Sequence, residues 1–268
     1  MSGRYDVFAV APAYEAYIGR WSRPVAREFV RWLAVPARRR WLDVGCGTGA
    51  LTEVVVDAGE ARSVVGVDAS AGFVQHARAR TFETAEVQFL QGDALALPVV
   101  SVDFDAVVSG LVLNFVPEPA RMVAEMVRAA SPGGTIALYV WDMSGAVELI
   151  ARFWEVATVA DPAAAALAEP ERFRELCAPE SLEALFTEAG LSDVVSRAID
   201  VPTVFRDFDD YWTPFLGGQG PAPAFLASLP EARQDAIREG LRTRLAPSPD
   251  GSIRLNARAW AVRGTKPG

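Results

Sequence analysis

One histidine, His76, and one lysine, Lys266, are all that a chain of 268 residues holds of those two types. Chemistry that needs a pair of histidines is therefore excluded, and every other basic residue is an arginine. Cysteine is nearly as scarce. Cys46 and Cys177 form no CxxC pair and cannot build a zinc site by themselves, so no metal is expected and a reducing, cytoplasmic setting fits best. Long apolar runs are missing too, none reaching the roughly 18 uninterrupted residues of a membrane-crossing helix. The opening MSGRYDVFAVAPAYEAYIGRW lacks the basic start and apolar stretch of an export signal, so a soluble protein with no membrane partner is expected. Positive charge is in deficit, 26 basic residues against 34 acidic for a net of −8, which speaks against a nucleic-acid partner.

What is present is apolar material: 51% of the residues, enough for a sizeable core. From 41 to 142 short apolar runs alternate with helical segments. The runs Trp41–Val44, Val64–Asp68, Val87–Leu90, Asp105–Ser109 and Thr135–Trp141 are continuous rather than alternating, as in parallel strands covered on both faces. Helix starts are read at Thr48, Ser70 and Pro117, with Pro132-Gly133-Gly134 as a stop. This rhythm predicts an α/β fold with a doubly wound, mostly parallel, seven-stranded Rossmann-like sheet. Residues 1–40 are expected as a helical N-terminal arm, with Tyr14, Tyr17, Ile18, Trp21, Val25, Phe29 and Leu33 at three- and four-residue steps. The remainder, 41–268, is expected as the core. It would carry a helical insertion at about 143–176, a helix opened by Pro179 and stopped by Gly190, closing strands at 193–205 and 254–263, and a cap or lid at about 206–251. The triplet Arg38-Arg39-Arg40 reads as a solvated loop.

The densest local signal is Leu42-Asp43-Val44-Gly45-Cys46-Gly47-Thr48-Gly49, an apolar strand ending in a carboxylate and running into GxGxG. Glycines permit a tight turn and close approach of a ligand to backbone, with a helix N-terminus behind. The next strand ends at Asp68, 23 residues after Gly45, where a doubly wound nucleotide site needs an acceptor for ribose hydroxyls. These two features alone also suit a nicotinamide-dependent oxidoreductase. No GKS or GKT occurs, so a P-loop is excluded. Three further pieces follow the later strands: Gln91-Gly92-Asp93-Ala94, Ser109-Gly110-Leu111-Val112-Leu113-Asn114-Phe115, and Ser131-Pro132-Gly133-Gly134-Thr135.

With these pieces the sequence resembles the class I S-adenosylmethionine-dependent methyltransferases, in particular the small-molecule branch of the ubiquinone and menaquinone biosynthesis type. The resemblance runs motif by motif over 41–141 and thins to a general plan beyond 143. It implies S-adenosyl-L-methionine as cofactor and methyl transfer to a small organic molecule by in-line displacement. By the same resemblance the Gly45–Gly49 turn, with Cys46, Gly47 and Thr48, would hold the methionyl part, and Asp43 would receive its ammonium. Asp68 would accept from the ribose hydroxyls, Ala69 and Phe73 would lie along the adenine, and Asp93 would accept from its amino group beside Gly92 and Ala94. Ser109 and Leu111 would touch the chain near the reactive methyl. Two departures stand out: Asn114-Phe115 occupies the place where many relatives carry histidine, and the amino-methylating tetrapeptide (D/N)PP(Y/F) is absent. A cofactor-binding protein without transferase activity stays open beside the oxidoreductase.

For the acceptor, a closed apolar pocket is expected from the aromatic arm and the aromatic insertion. Tyr14, Trp21, Asn114, Trp141, Tyr211 and Trp212 are its candidate contacts, with Phe208 and Phe215 nearby in sequence. Should the acceptor need deprotonation, Tyr14 or Asp142 is the candidate group, since His76 lies among polar neighbours of a helix and is expected to face solvent. Arg20 and Arg23 are candidate partners for a carboxylate. Cys46 is expected to be a small side chain fitted into the turn.

Overall fold

The computed structural model describes residues 17, 19–100, 103–168, 176–217 and 220–268; Tyr14 lies outside them. The core elements follow the expected alternation: α1 Arg20–Leu33, β1 Arg40–Val44, α2 Ala50–Asp57, β2 Ser63–Asp68, α3 Ala71–Arg78, β3 Glu86–Gln91, β4 Phe104–Gly110, α4 Pro119–Ala129 and β5 Ala130–Trp141. Then come α5 Glu148–Ala160, the short α6 Ala165–Ala168, α7 Pro179–Glu188, β6 Ser192–Phe205, α8 Phe208–Trp212, α9 Pro221–Ser228, α10 Glu231–Arg244 and β7 Ile253–Thr265. The sheet has seven strands in the order β3-β2-β1-β4-β5-β7-β6. Pairs β1 with β2, β1 with β4, β2 with β3 and β4 with β5 are parallel. β7 runs antiparallel to β5, as the bonds Gly133 N–H to Lys266 O and Asp142 N–H to Arg258 O show.

Several boundaries differ from the sequence expectation for local reasons. β5 begins at Ala130 rather than Thr135, because a register shift between Phe104 and Ala106 lets the Pro132-Gly133-Gly134 segment run on as strand instead of ending in a loop. α2 is capped by Gly49 at φ 86° and not by Thr48, and α4 takes Pro119, not Pro117, in its first turn. Within the expected cap, the Gly-Pro-Ala-Pro stretch is the entry of α9, with Gly220 before it and Pro221 at its first position. Ser70 caps α3 as expected, its hydroxyl accepting from Phe73 N–H at 3.3 Å.

The chain forms two compact units. One comprises residues 1–21, 141–175 and 200–258, the other 22–140, 176–199 and 259–268. We call them the aromatic unit and the sheet unit. This division differs from an arm of 1–40 ahead of a core of 41–268. From Ser22 onward α1 belongs with the parallel strands, because it buries Val25, Ala26, Phe29, Val30 and Leu33, and Phe29 packs on Tyr139 at 4.7 Å. The sheet unit's main core joins Leu42, Val44, Val107, Ile136 and Leu138 with Met122 and Met126 of α4 and Leu182 and Phe186 of α7. Among the described residues no helix is long and apolar enough to cross a membrane.

The candidate cofactor site and the aromatic unit

In the sheet unit, β1 ends on Asp43, Val44 and a turn in which Gly45, Gly47 and Gly49 all have positive φ, 75°, 52° and 86°. Gly45 N–H and Cys46 N–H both donate to Val67 O, at 2.7 and 3.0 Å, which ties the turn to the end of β2. Glycine at 45 is required twice over: its φ disfavours any side chain, and a Cβ there would lie 2.4 Å from Val112 Cγ2. A Cβ at Gly47 would meet nothing within 4 Å, so space for a ligand stands open there. Cys46 is buried, and burial pushes its thiol well above the ordinary range, which fits a packed side chain and not a nucleophile. Thr48 is buried in the same turn.

Two carboxylates flank the turn. Asp43 is fully buried; its Oδ2 accepts from Thr52 Oγ1 at 2.7 Å, while Oδ1 has no hydrogen-bond partner. Burial pushes this carboxyl up to about 7; the Thr52 bond opposes the rise and the charge of Asp68 adds to it. Asp68 is half-buried and accepts from Gly47 N–H at 2.9 Å and Ser70 N–H at 2.8 Å, so it stitches the glycine turn to the start of α3. Burial raises this carboxyl as well, against the pull of those two backbone bonds. Thr52, one turn into α2, is a site residue the sequence reading missed; the clue available was that a buried strand-end carboxylate needs a donor.

The remaining predicted cofactor residues gather along the same strand ends. Ser109 Oγ donates to Val44 O at 2.7 Å, locking β4 to β1. Leu111 sits at φ 64° with its N–H bonded to Tyr139 O at 2.8 Å, a left-handed conformation that costs a leucine about 1–2 kcal/mol and is kept where the surroundings enforce it. Asp93 is exposed, its Oδ1 accepting from Leu95 N–H at 2.9 Å in the turn after β3, with Gly92 and Ala94 half-buried beside it. α4 pins that turn: Glu125 accepts from Leu97 N–H and Arg128 donates to the carbonyls of Leu97 and Val99. Ala69 is exposed and Phe73 half-buried at the start of α3. Asn114 is half-buried in a short 3-10 turn, Leu113–Phe115, and His76 is exposed.

Arg23 and Arg80 both bond Glu53 in the first turn of α2, at 3.0 and 2.7 Å. A helix start with its arginines committed to a glutamate is ill suited to a pyrophosphate, whereas an unsatisfied buried carboxylate oxygen, open space at Gly47 and the lone pairs left on Asp68 suit a ligand with cationic and hydroxyl donors. Among the described residues no three His, Cys, Asp or Glu group so as to hold a metal ion.

The aromatic unit holds most of the predicted acceptor contacts. Tyr211 is fully buried and donates its hydroxyl to Leu149 O at 3.0 Å; Trp212 is buried beside Phe215. Tyr17, Phe153, Phe205, Tyr211 and Phe215 form a chain of ring contacts at 4.7–5.5 Å. Tyr211 and Trp212 are thus core of their own unit and not an open binding surface, because the insertion has enough aromatic area to build a core itself. Trp21 packs edge-on against Phe205 at 5.4 Å, with the Arg20 guanidinium over both rings. Arg20 bonds Asp210 at 3.1 Å, so it, like Arg23, is engaged within the protein. Trp141 is buried, its indole N–H without a partner. Asp142, also buried, accepts from Ser144 N–H at 3.0 Å and Ser144 Oγ at 2.5 Å.

Residues 42–138 match the family model described as a methyltransferase domain. Over 132 residues the chain is 37% identical to a demethylmenaquinone methyltransferase of Renibacterium salmoninarum, covering 47% of this chain and 53% of that protein. Over 110 residues it is 36% identical to a 2-phytyl-1,4-naphtoquinone methyltransferase of Thermosynechococcus vestitus, covering 41% and 49%. The chain thus spans about half the length of these curated relatives. Among solved structures, a putative methyltransferase of Bacillus halodurans shares the fold, with TM-score 0.57, 17% identity and coverage of 91% and 99%.

Proposed function

With residues 42–138 matching a methyltransferase domain, we propose that the protein transfers a methyl group from S-adenosyl-L-methionine to a small organic acceptor of quinone type. The observation that carries this reading is Asp43, fully buried at the end of β1 with one oxygen lacking a partner, beside a glycine turn whose neighbouring arginines are bound to Glu53. The relatives' names, with their naphthoquinone-type acceptors, support the acceptor class.

When bound, S-adenosylmethionine supplies a methyl already activated on a sulfonium. Asp43 would hold the ammonium, the Gly45–Gly49 turn the methionyl backbone, and Asp68 the ribose hydroxyls. Phe73 and Ala69 would lie along the adenine, with Asp93, Gly92 and Ala94 at its amino edge. Ser109 and Leu111, at the end of β4, would touch the chain near the reactive methyl, with Leu111 held at φ 64° by its N–H bond to Tyr139 O just before the turn that carries Asn114. The protein's work is then to fix donor and acceptor in line and exclude water, and such positioning supplies about 7–11 kcal/mol. Asp142 remains the candidate group for taking a proton from an acceptor hydroxyl; Tyr14 lies outside the described residues. The two cysteines are free and buried, which accords with a cytoplasmic working place.

The test is turnover. Purified protein given methyl-labelled S-adenosylmethionine and a reduced 2-substituted 1,4-naphthoquinone should yield labelled quinol and S-adenosylhomocysteine in equal amounts. Cofactor binding without any labelled product across quinol, catechol and amine acceptors would point instead to a binding protein.

A further inference from the structure

The first turn of α2 is held between two guanidiniums. Arg23 of α1 donates to Glu53 Oε2 at 3.0 Å, and Arg80, two residues past α3, donates to the same oxygen at 2.7 Å. All three residues belong to the sheet unit, as does the glycine turn. Arg80 lies against that turn: its Cδ and Nε stand 3.5 and 3.6 Å from where a Cβ on Gly49 would be, and its Nε is buried without a hydrogen-bond partner. Burial opposes the ionisation of Glu53, but the bonds from Arg80 and Arg23 outweigh it and hold the carboxyl below its usual range.

Ion pairs between side chains 23–37% exposed add little to stability, so the arrangement calls for another reason. Two guanidiniums converging on one oxygen beside a glycine turn are a donor set suited to phosphate. In this chain the anion is supplied by Glu53. S-adenosylmethionine carries a sulfonium, an ammonium and a carboxylate, +1 overall and without phosphate, whereas a nucleoside diphosphate brings several negative charges. Asp68 does not tell the two apart, because ribose hydroxyls are common to both. The discrimination has to come from the charges around the turn.

We propose that Glu53 is a specificity-determining residue that keeps phosphate-bearing nucleotides out of the cofactor site, acting as a built-in anion on a pair of arginines that would otherwise take a phosphate. The proposal rests on the S-adenosylmethionine reading and says how that site rejects its commonest competitors. It requires that the site gain a ligand when Glu53 loses its charge, which a merely structural ion pair would not do.

The test titrates adenosine diphosphate, metal-free, into the full chain as wild type, Glu53→Gln, and Glu53→Gln combined with Arg80→Met; Glu53→Ala takes the place of Glu53→Gln should that variant not fold. S-adenosylmethionine affinity and melting temperature are measured on each. Glu53→Gln should bind the diphosphate about tenfold or more tighter than wild type, the worth of a charge-assisted hydrogen bond, and S-adenosylhomocysteine should displace it. Adding Arg80→Met should cancel most of that gain. S-adenosylmethionine, cationic overall, should weaken by no more than about threefold in Glu53→Gln, since one charge at the far side of the turn acts on it through solvent. No gain in diphosphate affinity, a gain that S-adenosylhomocysteine does not compete with, or a gain that Arg80→Met leaves intact would each overturn the proposal. Failure of wild type to bind S-adenosylmethionine would strike at the methyltransferase reading instead.

Discussion

The sheet unit places its polar groups at strand ends, on backbone and short side chains: Asp43 on Thr52, Asp68 on the N–H groups of Gly47 and Ser70, Ser109 on the carbonyl of Val44. The aromatic unit instead buries large rings against one another, Tyr17 and Tyr211 among them, and Tyr211 donates its hydroxyl to a helix carbonyl. In the first, substitutions should act on the ligand and the fold together, because the same carboxylates serve both. In the second, they should act on stability alone. The difference teaches that carboxylates at strand ends can be read from the spacing of the strands, whereas a cluster of packed rings is assembled from segments whose meeting no spacing announces.

The sharpest way to break the comparison is inside the glycine turn. Gly45→Ala meets both a positive φ and Val112, so it should cost about 3 kcal/mol of stability and abolish measurable cofactor binding. Gly47→Ala meets only the φ penalty, about 1–2 kcal/mol, so its melting point should fall less. Equal losses in thermal unfolding of the two variants would show that Val112 does not constrain the turn. Next in size, Asp68→Ala should weaken S-adenosylmethionine binding by about tenfold or more, the cost of a lost charged hydrogen bond. Calorimetric affinity within twofold of wild type would contradict the ribose assignment.

Asp43 makes the comparison depend on pH. Its carboxyl rises from an ordinary 3.8 to about 7 in the folded chain, so between those values the native state holds a proton that the unfolded chain has lost. This group's contribution to stability therefore falls as pH rises through that window. Cofactor binding should show the opposite trend. An ammonium beside Asp43 favours its ionised form, so below pH 7 binding should release a proton and weaken by up to about tenfold per unit. Titrations in buffers of different ionisation enthalpy measure that proton, and Asp43→Asn should abolish its release. The smallest effect is expected from Tyr211→Phe, which should remove about 1 kcal/mol of stability in urea unfolding and leave cofactor affinity unchanged. A changed affinity would mean that the aromatic core reaches the ligand after all.

The contrast also explains what could be read from the sequence. Asp43, the glycines, Asp68 and Ser109 sit at strand ends whose apolar runs are continuous and whose spacing is set by the turn, so the alternation of strands and helices and the cluster around the turn were legible. Thr52 was not, because its partner lies nine residues back and only the fold brings the two together. Nor was the role of Tyr211 and Trp212: ring spacing along an insertion reads the same whether the rings face a ligand or one another, and Phe153, Phe205 and Tyr17 come from three separate segments. The place of α1 in the sheet unit was hidden for the same reason, since an amphipathic stripe does not say which core it joins.

The central claim is that the turn and its two carboxylates serve a cationic cofactor and not a dinucleotide. Calorimetric titration of the full chain with S-adenosylmethionine and, separately, with NADH tests it directly. The account predicts saturable one-to-one binding of S-adenosylmethionine with no detectable heat from NADH; saturable NADH binding with none of S-adenosylmethionine would contradict it.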